Sequence, residues 1–154
     1  QRDDAGALLR VLEAADPRAS LAAADPIVTA SGATLLHLAA RIAAKAPCLA
    51  AMQTLLAAGL ARHVDRRDAK GCTPLGVVCQ GRGHPEVVQL LVANGADVNA
   101  CQPEGATPLH IVGREANERT WNLLLELGAD DTALDAKGKP PKLSPALGDK
   151  CLIM

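Results

Sequence analysis

The stretch Thr107-Pro108-Leu109-His110 is the strongest indication of the fold, because two other stretches of the chain repeat it in altered form. They are Thr34-Leu35-Leu36-His37 and Thr73-Pro74-Leu75-Gly76, and the threonines at 34, 73 and 107 stand 39 and 34 residues apart. Each copy follows a glycine by one intervening residue, and each precedes an apolar run that contains Leu-Leu and ends at a glycine. A motif that recurs at such a spacing indicates a stack of similar units, because one unit alone cannot bury its apolar face.

The motif resembles that of the ankyrin-repeat family, which has a period of about 33 residues and the signature Thr-Pro-Leu-His. One whole unit is seen in residues 71–100, GCTPLGVVCQGRGHPEVVQLLVANGADVNA. The resemblance covers about residues 1–136. It implies an all-α solenoid of stacked helix-turn-helix units with β-hairpin fingers, and a non-catalytic module that recognises other proteins.

Departures from the motif predict where the stack begins and ends. Residues 1–31 contain one short apolar helix and a long connection, and we interpret them as a partial or capping repeat. In residues 137–154, Lys139-Pro140-Pro141 stands where Thr-Pro-Leu would begin another unit, so we predict a Pro- and Lys-containing C-terminal tail. The ankyrin repeats are predicted at 32–136, divided into 32–64, 65–100 and 101–136.

The recurring residues have local physical roles. Threonine before proline caps the first helix of a unit, because its hydroxyl accepts a first-turn N–H and proline has no N–H to leave unpaired. The leucine two positions after the threonine is expected in the seam between units. The resemblance implies that His37 and His110 form hydrogen bonds between neighbouring loops. Gly76 replaces this histidine in the middle unit, so we expect lower local stability there.

Composition argues against several functional classes. The formal net charge is −1, with 16 Lys+Arg against 17 Asp+Glu, so the overall charge does not favour nucleic acid as a partner. Five cysteines at irregular spacings, with no apolar run of transmembrane length, favour a reducing, cytoplasmic setting. The chain has no Phe or Tyr and one Trp, which suits closely approaching helices lined by Ala, Val and Leu.

No residue pattern predicts catalysis, a metal site or a cofactor. Cys72 and Cys79 are separated by six residues, which is not the spacing of a zinc-binding pair. The resemblance places Cys79 at a buried alanine position and places Cys72 and Cys101 at finger positions that we expect to be exposed. The sequence holds no phosphate-binding glycine loop and no recognisable nucleophile. We therefore predict that the chain is not an enzyme.

The resemblance implies two variable surfaces for a partner, namely the finger tips and the inner face of each first helix. Positively charged residues are frequent at these positions, and they suit an acidic peptide or segment of another protein. The alternative is that they are solvated charges interleaved with Asp65 and Asp68. The predicted partner-binding residues are Arg41, Arg66, Arg67, Lys70, Gln80, Arg82, Glu104, Arg114 and Glu115.

The last four residues, Cys151-Leu152-Ile153-Met154, have the C-a-a-X form that directs prenylation of the cysteine, and a terminal Met favours a farnesyl group. We predict lipidation at Cys151 and a peripheral location on the cytoplasmic face of a membrane. One lipid chain gives reversible attachment. Two alternatives stay open: a C-terminal peptide that adds a strand to a PDZ domain, and a tail without a function.

These observations favour a protein–protein interaction scaffold or adaptor with a lipidated C-terminus. A second interpretation treats the repeats as the substrate-recruiting region of a larger enzyme, because the sequence begins with Gln1 rather than Met. A third interpretation treats them as a structural component of a large assembly.

Overall fold

Six α-helices follow one another in the computed structural model, which describes residues 32–43, 49–81 and 84–144. The predictions for the partial repeat at 1–31, for Arg82 and for Cys151 lie outside the described residues. None of the described helices is long and apolar enough to cross a membrane. The helices are α1 (Leu35–Ala43), α2 (Leu49–Ala57), α3 (Pro74–Gln80), α4 (Pro85–Ala93), α5 (Pro108–Arg114) and α6 (Glu118–Glu126).

The predicted caps stand at the starts of the first helices. Thr73 precedes Pro74, the first residue of α3, and its hydroxyl accepts the N–H of Gly76 at 3.2 Å. Thr107 precedes Pro108 at the start of α5 in the same way. A glycine with positive φ follows each second helix and turns the chain, as a residue without Cβ can do at low cost. These glycines are Gly59 (98°), Gly95 (93°) and Gly128 (91°).

The helices stack in two rows. The first helices α1, α3 and α5 pack side by side in that order, and the second helices α2, α4 and α6 pack in the same order. Leucines of both rows have no exposed surface, and burial of a leucine side chain contributes about 1.5–3 kcal/mol. The predicted all-α stack of ankyrin-like units is confirmed. The fully buried leucines include Leu36, Leu75 and Leu109 of the repeated motif and Leu55, Leu91 and Leu124 of the second helices.

A hairpin turn follows each pair of helices, and we call it the finger of that pair: the first finger is 68–72, the second is 102–106 and the third is 135–139. In each finger the first residue donates its N–H to the carbonyl of the fifth, and the fourth donates its N–H to the carbonyl of the first. The fourth residue is always a glycine with positive φ, as such a turn favours. Within the described ranges these turns carry no extended strand, so the fingers are short.

The described part of the predicted tail packs against the last unit. Residues 140–144 follow the third finger and take the place where another unit would begin, and Pro141 is buried. The N–H of Ser144 donates to the carbonyl of Gly113 at 2.8 Å. A Cβ on Gly113 would overlap the carbonyl oxygen of Lys142, so this close approach requires glycine. The chain therefore covers the end of its own stack.

Candidate functional site

In each outer unit, a buried histidine forms a hydrogen bond with the finger that follows the unit. His37 Nδ1 accepts the N–H of Thr34 at 3.2 Å, and His37 Nε2 donates to the carbonyl of Cys72 at 2.9 Å. His110 forms the equivalent pair of bonds, of which the one to the carbonyl of Lys139 is 2.9 Å long. Burial lowers the pKa of His37, so its ring is neutral at pH 7. Both histidines have the structural role that the resemblance implied.

The middle unit has Gly76 in place of this histidine, and Gln102 of the second finger fills the space. A Cβ built on Gly76 would lie only 2.7 Å from Gln102 Nε2. Gln102 Oε1 accepts the N–H of Thr73 at 3.1 Å, while Nε2 donates to the Thr73 hydroxyl at 3.0 Å and to the carbonyl of Ala100 at 3.1 Å. Gln102 therefore replaces the bonds that a histidine would make, and these bonds offset the loss of local stability expected from Gly76.

Two cavities open at equivalent places on the inner face, which is the surface formed by the fingers and the ends of α1, α3 and α5. The N-terminal cavity has a volume of about 210 Å³, and the C-terminal cavity has a volume of about 540 Å³. The N-terminal cavity is lined by Arg41, Asp68, Lys70, Cys72, Val77 and Gln80, among others. The C-terminal cavity is lined by His110, Arg114, Asp135, Lys137, Lys139, Pro140, Lys142 and Ser144.

The C-terminal cavity holds four cationic side chains and one carboxylate. The carboxylate of Asp135 accepts the backbone N–H groups of Lys137 at 2.9 Å and Lys139 at 3.0 Å, and it lies 3.6 Å from the guanidinium of Arg114. The bond from the N–H of Lys139 is the main reason that the pKa of Asp135 is lowered. Because Asp135 is already bonded and only 7% of its side chain is exposed, the exposed charge of this cavity is mainly cationic.

The structure brings some of the predicted partner-binding residues together and separates others. The N-terminal cavity contains Arg41, Lys70 and Gln80, and the C-terminal cavity contains Arg114. The predicted residues that are exposed but line neither of these cavities are Arg66, Arg67, Glu104 and Glu115.

Arg67 is exposed, but its guanidinium also joins two fingers. It donates to the carbonyl of Cys101, next to the second finger. Between the second and third fingers, the backbone makes the link, because the N–H of Ala136 donates to the carbonyl of Glu104 at 2.8 Å. Pro103 stands at the position of Ala136 in the second finger and has no N–H to donate. Arg67 therefore supplies the link that the backbone cannot make between the first two fingers.

Sequence reasoning missed three lysines of the C-terminal cavity, Lys137, Lys139 and Lys142, because it placed them in a free tail. A signal for them was present. Gly138 stands 33 residues after Gly105, so the glycine of the finger turn recurs although the Thr-Pro-Leu motif does not. Sequence reasoning also missed Gln102, for which the pattern offers no signal.

The three cysteines that the structure describes, Cys72, Cys79 and Cys101, give no sign of chemistry. Cys79 is fully buried as predicted, and burial raises the pKa of its thiol to about 12, so it stays protonated at neutral pH. The expected exposure of Cys72 is wrong: the finger turns its side chain inward, and its carbonyl is bonded to His37. Cys101 is exposed as expected. In the part of the chain that the structure describes, no cluster of three or more His, Cys, Asp or Glu side chains could hold a metal ion.

Comparisons with known proteins agree with this geometry. The family model described as "Ankyrin repeats (3 copies)" matches residues 36–135. BCL-6 corepressor-like protein 1 of Homo sapiens is 34% identical over 109 residues, which are 71% of this chain and 6% of that protein. Ankyrin repeat and SOCS box protein 9 of Homo sapiens is 38% identical over 79 residues, which are 51% of this chain and 26% of that protein. ADP-ribosylation factor GTPase-activating protein AGD2 of Arabidopsis thaliana is 37% identical over 73 residues, or 47% of this chain and 9% of that protein. The chain thus spans about a quarter or less of the length of these relatives.

Proposed function

The chain belongs to the ankyrin-repeat family, and we propose that its inner face binds an acidic segment of a partner protein. Ankyrin repeats are non-catalytic protein-interaction modules, so the family accounts for the kind of function. The charges of this chain's own side chains support an acidic partner.

The C-terminal cavity is the observation that carries the proposal. Arg114, Lys137, Lys139 and Lys142 surround about 540 Å³ of open space, and the carboxylate among them is already bonded. Such cations form charge-assisted hydrogen bonds with carboxylates, and these bonds are about twice as strong as those between neutral groups. An exposed ion pair contributes only about 0.2–1 kcal/mol, so a useful affinity needs several pairs at once. A partner with several Asp or Glu side chains meets this requirement.

Selection from a displayed library of random peptides tests the proposal. The chain and its Lys139→Gln, Lys142→Gln double variant are used in parallel. The fold uses the backbone carbonyl of Lys139, which the substitution leaves in place. We expect enrichment of Asp- and Glu-rich peptides by the unaltered chain and loss of this enrichment in the double variant.

Arg119→Gln is the matched control, because Arg119 is a 78% exposed cation that pairs with Glu86 on the row of second helices. This variant should select the same acidic peptides as the unaltered chain. Selected peptides without an excess of Asp and Glu, or an excess that survives in the double variant, would contradict the proposal.

We also propose that Cys151 attaches the module to a membrane where Met154 is the last residue of the mature chain. The C-a-a-X form of the last four residues supports this proposal. Intact mass of the protein made in eukaryotic cells, compared with that of Cys151→Ser, provides the test. We expect a farnesyl-sized addition that is absent from the variant. An unmodified cysteine in the unaltered protein would contradict the proposed membrane attachment.

The same surface would also suit a longer chain in which the repeats recruit a substrate to an enzyme or hold an assembly together. Relatives such as ADP-ribosylation factor GTPase-activating protein AGD2 are many times longer than the matched region. The sequence that flanks these 154 residues in the full-length protein would distinguish these roles. A flanking catalytic domain would favour recruitment, and flanking interaction domains alone would favour an adaptor.

A further inference from the structure

We propose that the partner segment lies extended along the inner face and carries two anionic groups about five or six residues apart, with a neutral or basic residue between them. This inference rests on the proposed function and adds the spacing and order of charges that the surface selects.

The two cavities are copies of one site. Each has an arginine at the seventh position after the threonine of its unit, Arg41 in one and Arg114 in the other. Each has the first residue of a finger, Asp68 or Asp135, as its carboxylate. Each also has a lysine two residues further along the finger. These lysines are Lys70 and Lys137.

The middle unit presents different side chains at the same positions. Gln80 stands where the outer units have arginine, and Glu104 stands where the outer fingers have lysine. Gln102 stands at the position of the aspartate, but its amide is turned into the stack to bond Thr73. The centre of the inner face therefore carries an exposed carboxylate between two sites rich in cations.

The backbone of Glu104 gives independent support for a role of this carboxylate. Its φ is 67° and its ψ is 17°, a left-handed conformation that is unfavourable for residues with a side chain. Residues in such strained conformations cluster at functional sites, where the surrounding structure holds them in place, and this supports a role for the Glu104 side chain. Glycine would fit this turn at lower cost but would have no charge.

The stacking distance sets the spacing of the anionic groups. Neighbouring helices pack about 8–10 Å apart, and α1 and α5 are separated by α3, so the two sites are about 16–20 Å apart. An extended chain advances about 3.3–3.6 Å per residue, which gives five or six residues. Each strand of a DNA duplex carries a phosphate about every 3.4 Å of helix axis, so it would place negative charge against Glu104 as well as against the cations. A peptide with separated acidic residues avoids this repulsion.

Two peptides of equal composition test the inference. Each is about twelve residues long and is made of Gly and Ser with four Glu and one Lys. In the split peptide, two Glu-Glu pairs have centres six residues apart with Lys midway between them. In the clustered peptide, the four Glu are contiguous and Lys is at one end. Binding of each to the chain is measured by fluorescence anisotropy at low ionic strength, where exposed charges act most strongly.

We expect the split peptide to bind at least about fivefold more tightly, since only it can pair with both sites and with Glu104. Lys70→Gln should lower the affinity for the split peptide by more than it lowers the affinity for the clustered one. Glu104→Gln should reduce the preference for the split peptide. Arg119→Gln, on the row of second helices, should change neither affinity.

Equal binding of the two peptides, or equal weakening of both by Lys70→Gln, would overturn the spacing. If acidic peptides are nevertheless enriched in the library selection, the proposed function stands and only this inference falls. If neither peptide binds and no acidic enrichment is seen, both fall. Vesicles of phosphatidylcholine and phosphatidylserine that bind more tightly than the split peptide, through the same lysines, would also overturn it in favour of a lipid surface.

Discussion

Replacing Gly76 and Gln102 by the residues that stand at the equivalent positions of the outer units tests which contacts stabilise the middle unit. At the two equivalent positions the outer units have a histidine and an aspartate, whereas the middle unit has Gly76 and Gln102. The histidine and aspartate are His37 and Asp68 in one outer unit and His110 and Asp135 in the other. The three variants are Gly76→His, Gln102→Asp and the double variant. We expect each single change to be costly and the double variant to recover most of the loss.

The magnitudes follow from the bonds that each change breaks. Gln102→Asp shortens the side chain and removes three buried hydrogen bonds, two to Thr73 and one to Ala100. A hydrogen bond contributes about 0.5–1.5 kcal/mol net, so the expected loss is about 2–4 kcal/mol. Gly76→His loses about as much, because an imidazole needs the space that the Gln102 amide occupies.

The double variant restores both partners. The new histidine can accept the N–H of Thr73 and donate to the carbonyl of Ala106, as His37 does with Thr34 and Cys72. The new aspartate can accept N–H groups within the finger, as Asp68 accepts that of Cys72 at 2.9 Å. We expect a free energy of unfolding within about 1 kcal/mol of the unaltered chain, and a coupling between the two positions of at least about 2 kcal/mol.

Urea denaturation followed by circular dichroism measures the free energies, and Trp121 fluorescence gives a second probe in the last unit. If the loss in the double variant equals the sum of the single losses, the two positions are independent and Gln102 does not take the place of the histidine. A Gly76→His change that costs nothing would show that the Gln102 amide does not fill the histidine position.

Three further predictions address the core, the histidines and the end of the stack. Leu109→Ala should lower the free energy of unfolding by about 2–5 kcal/mol, because Leu109 has no exposed surface; a loss below about 0.5 kcal/mol in urea denaturation would place it outside the seam. Because burial lowers the pKa of His37, the folded chain binds its proton less readily than the unfolded chain, whose histidine has a pKa of 6.5. The urea midpoint should therefore fall as the pH drops below about 6.5, and His37→Asn should show a smaller fall between pH 7.5 and pH 5.5. Gly113→Ala should displace residues 140–144, because its Cβ would overlap the carbonyl of Lys142; faster amide hydrogen exchange at Ser144 than in the unaltered chain is expected, and unchanged exchange would contradict the packing.

The sequence predicted those features whose physical causes lie within one unit. The threonine cap acts over three residues, the proline acts on its own N–H, and buried leucines such as Leu109 recur with the period of the stack. The glycine turns also follow from one residue each. Local rules therefore placed the helices, their caps and the core.

The missed features depend on residues about thirty positions apart. Gln102 forms a hydrogen bond with Thr73, 29 residues earlier in the sequence, and the residues next to either of them do not predict this contact. Position 102 lies outside the repeated Thr-Pro-Leu-His motif, so an interpretation made one unit at a time shows only that the histidine is missing at Gly76. The lysines of the C-terminal cavity were missed for a related reason, because the broken motif at 139–141 hid an intact finger at 135–139.

The exchange at Gly76 and Gln102 also shapes the charge pattern of the inner face. In the outer units the histidine comes from the helix, which leaves the first finger residue free to be an aspartate that faces the cavity. In the middle unit the finger residue is used inside the stack, so the carboxylate of that unit is supplied by Glu104 at the exposed tip instead. The double variant Gly76→His, Gln102→Asp should therefore keep the stability of the chain and place in the second finger an aspartate that accepts N–H groups there, as Asp68 does. Because such a bonded carboxylate adds little to the charge that a ligand meets, the double variant should keep the preference for the split peptide. If stability recovers but that preference changes, the same two positions govern both the fold of the middle unit and its choice of partner.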